Sequence, residues 1–387
     1  MKETSLEAMA APALNNDVHS SSTAGSIRVL MVAGGTGGHI FPALAVAEEL
    51  RGRLEARRDK GVKLDILFLG TGRGLEDRVI PAAGFPLRKV AAAGVKGIGG
   101  WRQIRNLLVL PRSAIETAAL LREYGPHVVV GLGGYLAGPA MLLAALKDIP
   151  TVLIEPNAVP GFTNRVLAPL VRMAALGFEE TAEFYGLKAR VTGHPVRAAF
   201  HSVPRKDHVP PFTVLVLGGS QGSKAINECV VKSLPLLEEG ADVRLIHQTG
   251  ERDYNAVRQA YQERGLPAEV HAFIENVPEA LARADLVISR AGANTVAELA
   301  AAGKAAVLIP FPGAADQHQL VNARTLARAG AARIIEQRDL KPEKLVSEIT
   351  ALLVTPVQLE QMERAARGLA RPDAAVRIAD LIEEFAR

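Results

Sequence analysis

The sequence holds one cysteine, Cys229, in 387 residues. A single thiol closes no disulfide within the chain and builds no cysteine-rich metal site. A reducing cytoplasm is the environment this predicts. Aromatics make up only 4%, with Trp101 the one tryptophan. Cores must therefore be aliphatic, and the interleaved aromatics of an RNA-binding surface are missing. Net charge is only +4. So small an excess, spread along the chain, suits an anionic ligand or an anionic membrane surface and leaves no nucleic-acid footprint. The first 26 residues lack the apolar run of a signal peptide and read as a disordered extension, 1–26.

Long apolar runs are scarce too. Val128 to Leu146 carries no charge over 19 residues, enough by length to span a bilayer. Gly131, Gly133, Gly134, Gly138 and Pro139 interrupt it, so it reads instead as strand, glycine loop and buried helix.

What is present is alternation. "IRVLMVAGG", "LDILFLG", "HVVVGLGG" and "PTVLIEPN" read as buried strands, with helical patterns such as "FPALAVAEELRGRLEARR" between them and Pro42 near that helix's start. After a polar, Pro-rich stretch, "RKDHVPP" (Arg205 to Pro211), the pattern restarts with "FTVLVLGGSQGSKAINECVVKSLPLL". The chain is long enough for about two domains. The expected fold is α/β: two Rossmann-like domains with parallel sheets facing a central cleft.

Three glycine turns sit at expected strand ends: "GGTGGH" (Gly34 to His39), "GLGGYLAGP" (Gly131 to Pro139) and "GGSQGS" (Gly218 to Ser223). In open α/β sheets ligands bind past the carboxyl ends of the strands. Glycine lets the backbone approach closely there, and the next helix aims its free N–H groups at the same spot. None is a common signature: Ile40 stands where GxGxxG from Gly35 needs glycine, and "GGSQGSK" lacks the P-loop spacing. "SRAGANTVAE", "PFPGAADQHQLVNA" and "VTGHPVR" add polar groups at further strand ends.

Taken together, "GGTGGHIFPALA", "GLGGYLAGP", "EPNAVPGFTNR", "TGHPVR", "GGSQGS", "SRAGANTVAEL" and "PFPGAADQHQ", in this order, resemble the MurG family of bacterial cell-wall synthesis. The resemblance runs from about Ile27 to the C-terminus. It implies the glycosyltransferase B fold and transfer of GlcNAc from UDP-GlcNAc to the 4-hydroxyl of MurNAc in lipid I, with inversion, giving lipid II. It implies an acceptor- and membrane-binding domain at 27–198, a UDP-GlcNAc-binding domain at 199–370, and a C-terminal helix at 371–387 that packs back on the first domain.

Site residues carry over by position. Thr36, Gly37 and Gly38 fall near the donor sugar and diphosphate, Asn157 on the sugar, and Arg197 and Ser220 around the diphosphate and nucleotide. Ile274 meets the uracil through its backbone. Ala293, Asn294, Thr295, Val296, Ala297 and Glu298 form the nucleotide loop, with Glu298 on the ribose hydroxyls, and Gln319 lies near the GlcNAc. The loop of Gly133, Gly134 and Tyr135 falls to the acceptor. The sequence departs from the family at Ile154 and Pro156, which replace a histidine and a glutamine, and at His194, which replaces an asparagine.

An inverting displacement needs a base, an in-line sugar and stabilisation of the leaving diphosphate. His39 is the first candidate base and Glu155 the second; the alternatives are that His39 orients its loop and that Glu155 makes structural hydrogen bonds. No DxD motif is present, so no metal is expected, and no cofactor. "GVKGIGGWRQIRNLLVLPRSAIE" (Gly94 to Glu116) interleaves cations with apolar residues. It reads either as an amphipathic helix packed on its domain or as peripheral membrane contact through Trp101, Arg102 and Arg105. The family points to the second, at the cytoplasmic face of the plasma membrane, with other cell-wall synthesis proteins as further partners. Two other readings remain: a UDP-GlcNAc 2-epimerase or a transferase with another lipid acceptor, and a nucleotide-sugar-binding protein without turnover.

Overall fold

The computed structural model describes residues 26–35, 37–56, 63–72, 75–90, 109–219, 221–240 and 242–386. Thr36, Ser220, Trp101, Arg102, Arg105 and residues 1–25 of the N-terminal extension lie outside the described residues.

The first domain carries β1 (Ser26–Val32), β2 (Lys63–Gly70), β3 (Leu87–Lys89), β4 (Val128–Gly131), β5 (Thr151–Glu155), β6 (Met173–Leu176) and β7 (Ala189–Val191). Among the described residues they form one sheet in the order β3-β2-β1-β4-β5-β6-β7, every pair parallel. The second domain carries β8 (Phe212–Leu217), β9 (Val243–Gln248), β10 (Ala268–His271), β11 (Leu286–Ser289), β12 (Ala306–Leu308) and β13 (Ala332–Ile334). Their order is β10-β9-β8-β11-β12-β13, again all parallel. Each sheet starts in its middle and winds outward both ways, so the strand order reverses beside β1 and beside β8. Those switch points are where ligands bind in such sheets.

Central strands are near-continuous aliphatic runs because helices cover both sheet faces. β4 and β5 are buried along their whole lengths. The uncharged stretch from Val128 resolves into β4 and the Gly134–Ala145 helix, and no described helix is long and apolar enough to cross a membrane. The helix after β1 begins at Gly37 and runs to Ala56, taking both glycines into its first turn. Pro42 therefore lies in the helix interior and not at its start, at the cost of one helical hydrogen bond.

The chain passes between the domains twice. After β7 it enters the second domain, where Phe200 joins the core. It returns past the Pro356–Leu369 helix into the Ala374–Phe385 helix, whose Ile378, Ala379 and Ile382 complete the first domain's core beside Val29 and Leu50. Arg53 ties this helix down, donating to Asp380 Oδ1 at 2.7 Å and to the Val376 carbonyl at 2.7 Å. The linker before β8 is held by buried charge. His208 lies 2.9 Å from Asp285 Oδ1 and 3.5 Å from Glu363 Oε2, and Lys206 pairs with Asp285.

Candidate active site

A cavity of about 870 Å³ opens between the domains, at the carboxyl ends of both sheets. From the first domain it is lined by Gly37, Gly38, His39, Phe41, Arg78 and Asn157; from the second come Gly218, Gly219, Gln221, Gly222 and the segment around Arg290 to Glu298. Three helices begin on its wall: Gly37–Ala56, Ala293–Ala302 and His318–Arg328. Each presents unpaired N–H groups and the positive end of its dipole, so the cavity is built for an anion.

Glycine is required in two of the turns. A Cβ on Gly222, at φ +75°, would sit 2.0 Å from the Thr249 carbonyl oxygen, and one on Gly133, at φ +94°, 2.8 Å from Asn164 Oδ1. Neither turn has room for a side chain.

Arg197 lines the cavity between two rings, 5.0 Å from the Phe41 centroid and 5.2 Å from that of Phe200. Its Nε is buried without a hydrogen-bond partner among the described residues. A guanidinium steered by aromatic faces and left with a free donor suits an anionic ligand. Glu298 shares the wall; burial pushes its carboxyl up to about 7, partly offset by Arg197.

Gln248 was not singled out in the sequence, yet it ties the turn after β8 to the backbone at Ile274. Its Oε1 accepts from the Ile274 N–H at 2.9 Å and its Nε2 donates to the Gly219 carbonyl at 2.8 Å. The Ile274 N–H is thereby occupied, which leaves the carbonyl as its backbone group for a ligand. Gln319 is similar: its Oε1 accepts from Phe311 N at 2.9 Å and Ala291 N at 3.3 Å, so its amide nitrogen is what the cavity meets. Arg290 was also missed. It donates to the Ile309 carbonyl at 3.0 Å and to Gln337 Oε1 at 2.7 Å, and burial lowers it to about 10.

His39 is half-buried at the cavity edge, its Nδ1 3.4 Å from the Gly34 carbonyl. Burial holds its pKa below the ordinary histidine value, so the ring is neutral near pH 7. With Nδ1–H toward Gly34, Nε2 keeps a lone pair. The expected acceptor loop abuts it: a Cβ on Gly134 would stand 3.3 Å from His39 Cε1. Gly133, Gly134 and Tyr135 lie outside the cavity lining proper, and Tyr135 is exposed.

Glu155 is corrected by its surroundings. It is fully buried and lines no part of the cavity. Oε1 accepts from Asn157 N at 2.9 Å; Oε2 accepts from Gly161 N at 3.0 Å and Asn164 Nδ2 at 2.8 Å. Burial raises its pKa, and these hydrogen bonds oppose the rise. With both oxygens engaged, it holds the Asn157 loop and has no lone pair facing a substrate. Val296 and Ala297 also turn away from the cavity. Helical periodicity puts them on the opposite side of their helix, against a second hollow of about 460 Å³ behind it. Among the described residues no three His, Cys, Asp or Glu side chains gather as a metal site.

Models of the glycosyltransferase family 28 N-terminal and C-terminal domains match residues 29–176 and 213–378. The chain belongs to glycosyltransferase family 28. It is 46% identical over 369 residues to the UDP-N-acetylglucosamine--N-acetylmuramyl-(pentapeptide) pyrophosphoryl-undecaprenol N-acetylglucosamine transferase of Anaeromyxobacter sp. strain Fw109-5, covering 93% of this chain and 94% of the relative. It is 43% identical to the protein of the same name from Myxococcus xanthus, over 92% of each chain. The crystal structure of Acinetobacter baumannii MurG superposes with a TM-score of 0.73 at 34% identity, covering 92% of this chain and 99% of that one. Within the family the chain stands with the MurG enzymes, and its two facing domains are the glycosyltransferase B fold.

Proposed function

We propose that the cleft binds UDP-GlcNAc and that the enzyme moves its GlcNAc to the 4-hydroxyl of MurNAc in lipid I, forming lipid II. The observation that carries this is the meeting of three helix N-termini and the unpartnered Arg197 donor in one cavity, in a chain 43–46% identical to transferases of that name. The acceptor oxygen attacks the anomeric carbon as the bond to the diphosphate breaks; UDP leaves, and the hydroxyl proton passes to His39 Nε2. Arg197 and the helix ends meet the charge growing on the diphosphate. Glu298 accepts from the ribose hydroxyls, the Ile274 carbonyl meets the uracil, and Asn157 and the Gln319 amide orient the sugar. The loop of Gly133, Gly134 and Tyr135 receives the acceptor beside His39.

The acceptor's polyprenyl tail stays in the bilayer, so the enzyme works at the cytoplasmic membrane face. Contact falls to the Gly94 to Glu116 segment, whose described end exposes Arg112 and Ile115. The helix packed beside it exposes Leu142, and Leu146 follows it. UDP release tests the reading: it should require a short-chain lipid I analogue. Consumption of UDP-GlcNAc without acceptor would replace this reading with an epimerase-like one, and binding without turnover would reduce the protein to a nucleotide-sugar carrier.

A further inference from the structure

His194 lies on the first passage between the domains, two residues beyond Thr192 and only 7% exposed. The two passages touch there: a Cβ on Gly193 would stand 2.5 Å from Arg371 Cβ. His194 lines the rear hollow and not the donor cavity, so it reaches no substrate. Its Nε2 is 2.6 Å from Asn294 Oδ1, and Asn294 Nδ2 donates to the Gly37 carbonyl at 2.8 Å.

The hydrogens in this chain are fixed by elimination. Gly37 offers a carbonyl, which only accepts, so the NH₂ of Asn294 must face it and Oδ1 must face His194. Oδ1 also only accepts, so His194 carries its proton on Nε2. Nδ1 is left as a bare lone pair, and it is buried with no partner. Burial lowers the pKa of His194 to about 4, keeping it in this neutral tautomer at working pH.

Gly37 opens the helix that carries His39 and Phe41. Asn294 is the second residue of the helix that carries Glu298. Their hydrogen bond joins the two cleft walls, and with nothing holding Oδ1 the Asn294 side chain is free to rotate its NH₂ away from the Gly37 carbonyl. We infer that His194 is a positioning residue for transfer: its Nε2–H orients the Asn294 amide so that the second domain latches onto the first glycine loop. This rests on the proposed reaction for its kinetic consequence and on geometry alone for the latch.

The test compares H194A, H194F and H194Q. Phenylalanine keeps ring shape without a donor; glutamine places a donor near the Nε2 position. Two readouts are taken: hydrogen exchange of the 37–41 amides in the ligand-free protein, and the steady-state dependence of transfer on UDP-GlcNAc. Exchange should rise in H194A and H194F and stay near wild type in H194Q. The KM for UDP-GlcNAc should rise about tenfold in the first two, the size of one lost hydrogen bond, with kcat changed less, and H194Q should recover most of it. In an Asn294→Leu background H194A should add nothing. Unchanged exchange and KM in H194A and H194F, failure of H194Q to rescue, or full additivity with Asn294→Leu would each overturn the latch. If the wild type transfers no GlcNAc, the reaction assignment fails, while the exchange result still decides the latch.

Discussion

Asn322, fully buried in the second domain, grips the Asn157 loop of the first: its Nδ2 is 3.3 Å from Asn157 Oδ1, and its Oδ1 accepts from the Ala158 N–H at 3.1 Å. The same Nδ2 reaches the Ala291 carbonyl at 3.2 Å. One side chain thus fixes Asn157 against the strand end that leads to the Ala293–Ala302 helix. Asn322→Ala removes these bonds and leaves a buried N–H unpaired. Stability should fall by about 1–3 kcal/mol, read from urea unfolding, and kcat/KM by about tenfold to a hundredfold as Asn157 drifts.

The buried Nε of Arg197 has no hydrogen-bond partner among the described residues. Arg197→Ala should raise the KM for UDP-GlcNAc by about tenfold to a hundredfold, the loss of one or two charge-assisted hydrogen bonds. Arg197→Lys should recover little, since an ammonium neither stacks between Phe41 and Phe200 nor offers the same fork. Isothermal titration with UDP-GlcNAc checks both.

Burial pushes the Glu298 carboxyl up to about 7. If ribose hydroxyls donate to its ionised form, as proposed, donor binding should strengthen as pH rises through 7 and weaken as it falls. The UDP-GlcNAc KM should therefore be higher at pH 6 than at pH 8 in the wild type, and that dependence should flatten in Glu298→Gln.

His39 and Glu155 separate by role. His39→Ala should lower kcat by about 100-fold to 10,000-fold with a nearly unchanged UDP-GlcNAc KM, as loss of a general base does. Glu155→Gln puts an NH₂ against donors that need an acceptor. Its first effect should be a lower thermal midpoint, with activity lost through the Asn157 loop and no change in the pH profile of the activity that remains.

His208 should shape stability against pH. Its hydrogen bond to Asp285 and the Glu363 carboxylate 3.5 Å away raise it to about 9, above the ordinary 6.5. The folded state therefore binds the proton more tightly than the unfolded one. The stability this adds is complete below pH 6.5 and disappears as pH rises through 9. Urea midpoints should fall between pH 6.5 and 9.5, and by less in H208Q.

The fold was legible because its signals are local. Aliphatic runs such as "TVLIE" and "FTVLVL" mark buried strands, and glycine turns follow them. Most of the lining was legible for the same reason: Gly37, His39, Arg197 and Asn294 all stand at strand ends. What the sequence could not give is direction and pairing across the cleft. A carboxylate at the end of β5 looks like a base, and only the fold turns it back onto its own loop. The hint was the loop itself, where Asn157, Gly161 and Asn164 crowd donors around one acid. Gln248 and Asn322 were missed because their partners lie 26 and 164 residues away. Val296 and Ala297 share a motif with cavity-lining neighbours, but the helix turns them to its far side.

Transfer of GlcNAc from UDP-GlcNAc to lipid I is read from the product itself, made from labelled UDP-GlcNAc and a short-chain lipid I analogue, with the new linkage assigned by NMR. One labelled GlcNAc per acceptor, joined β to the 4-hydroxyl of MurNAc, is expected. A label that never leaves the nucleotide sugar in the acceptor's presence, or an α linkage, would rule the transfer out.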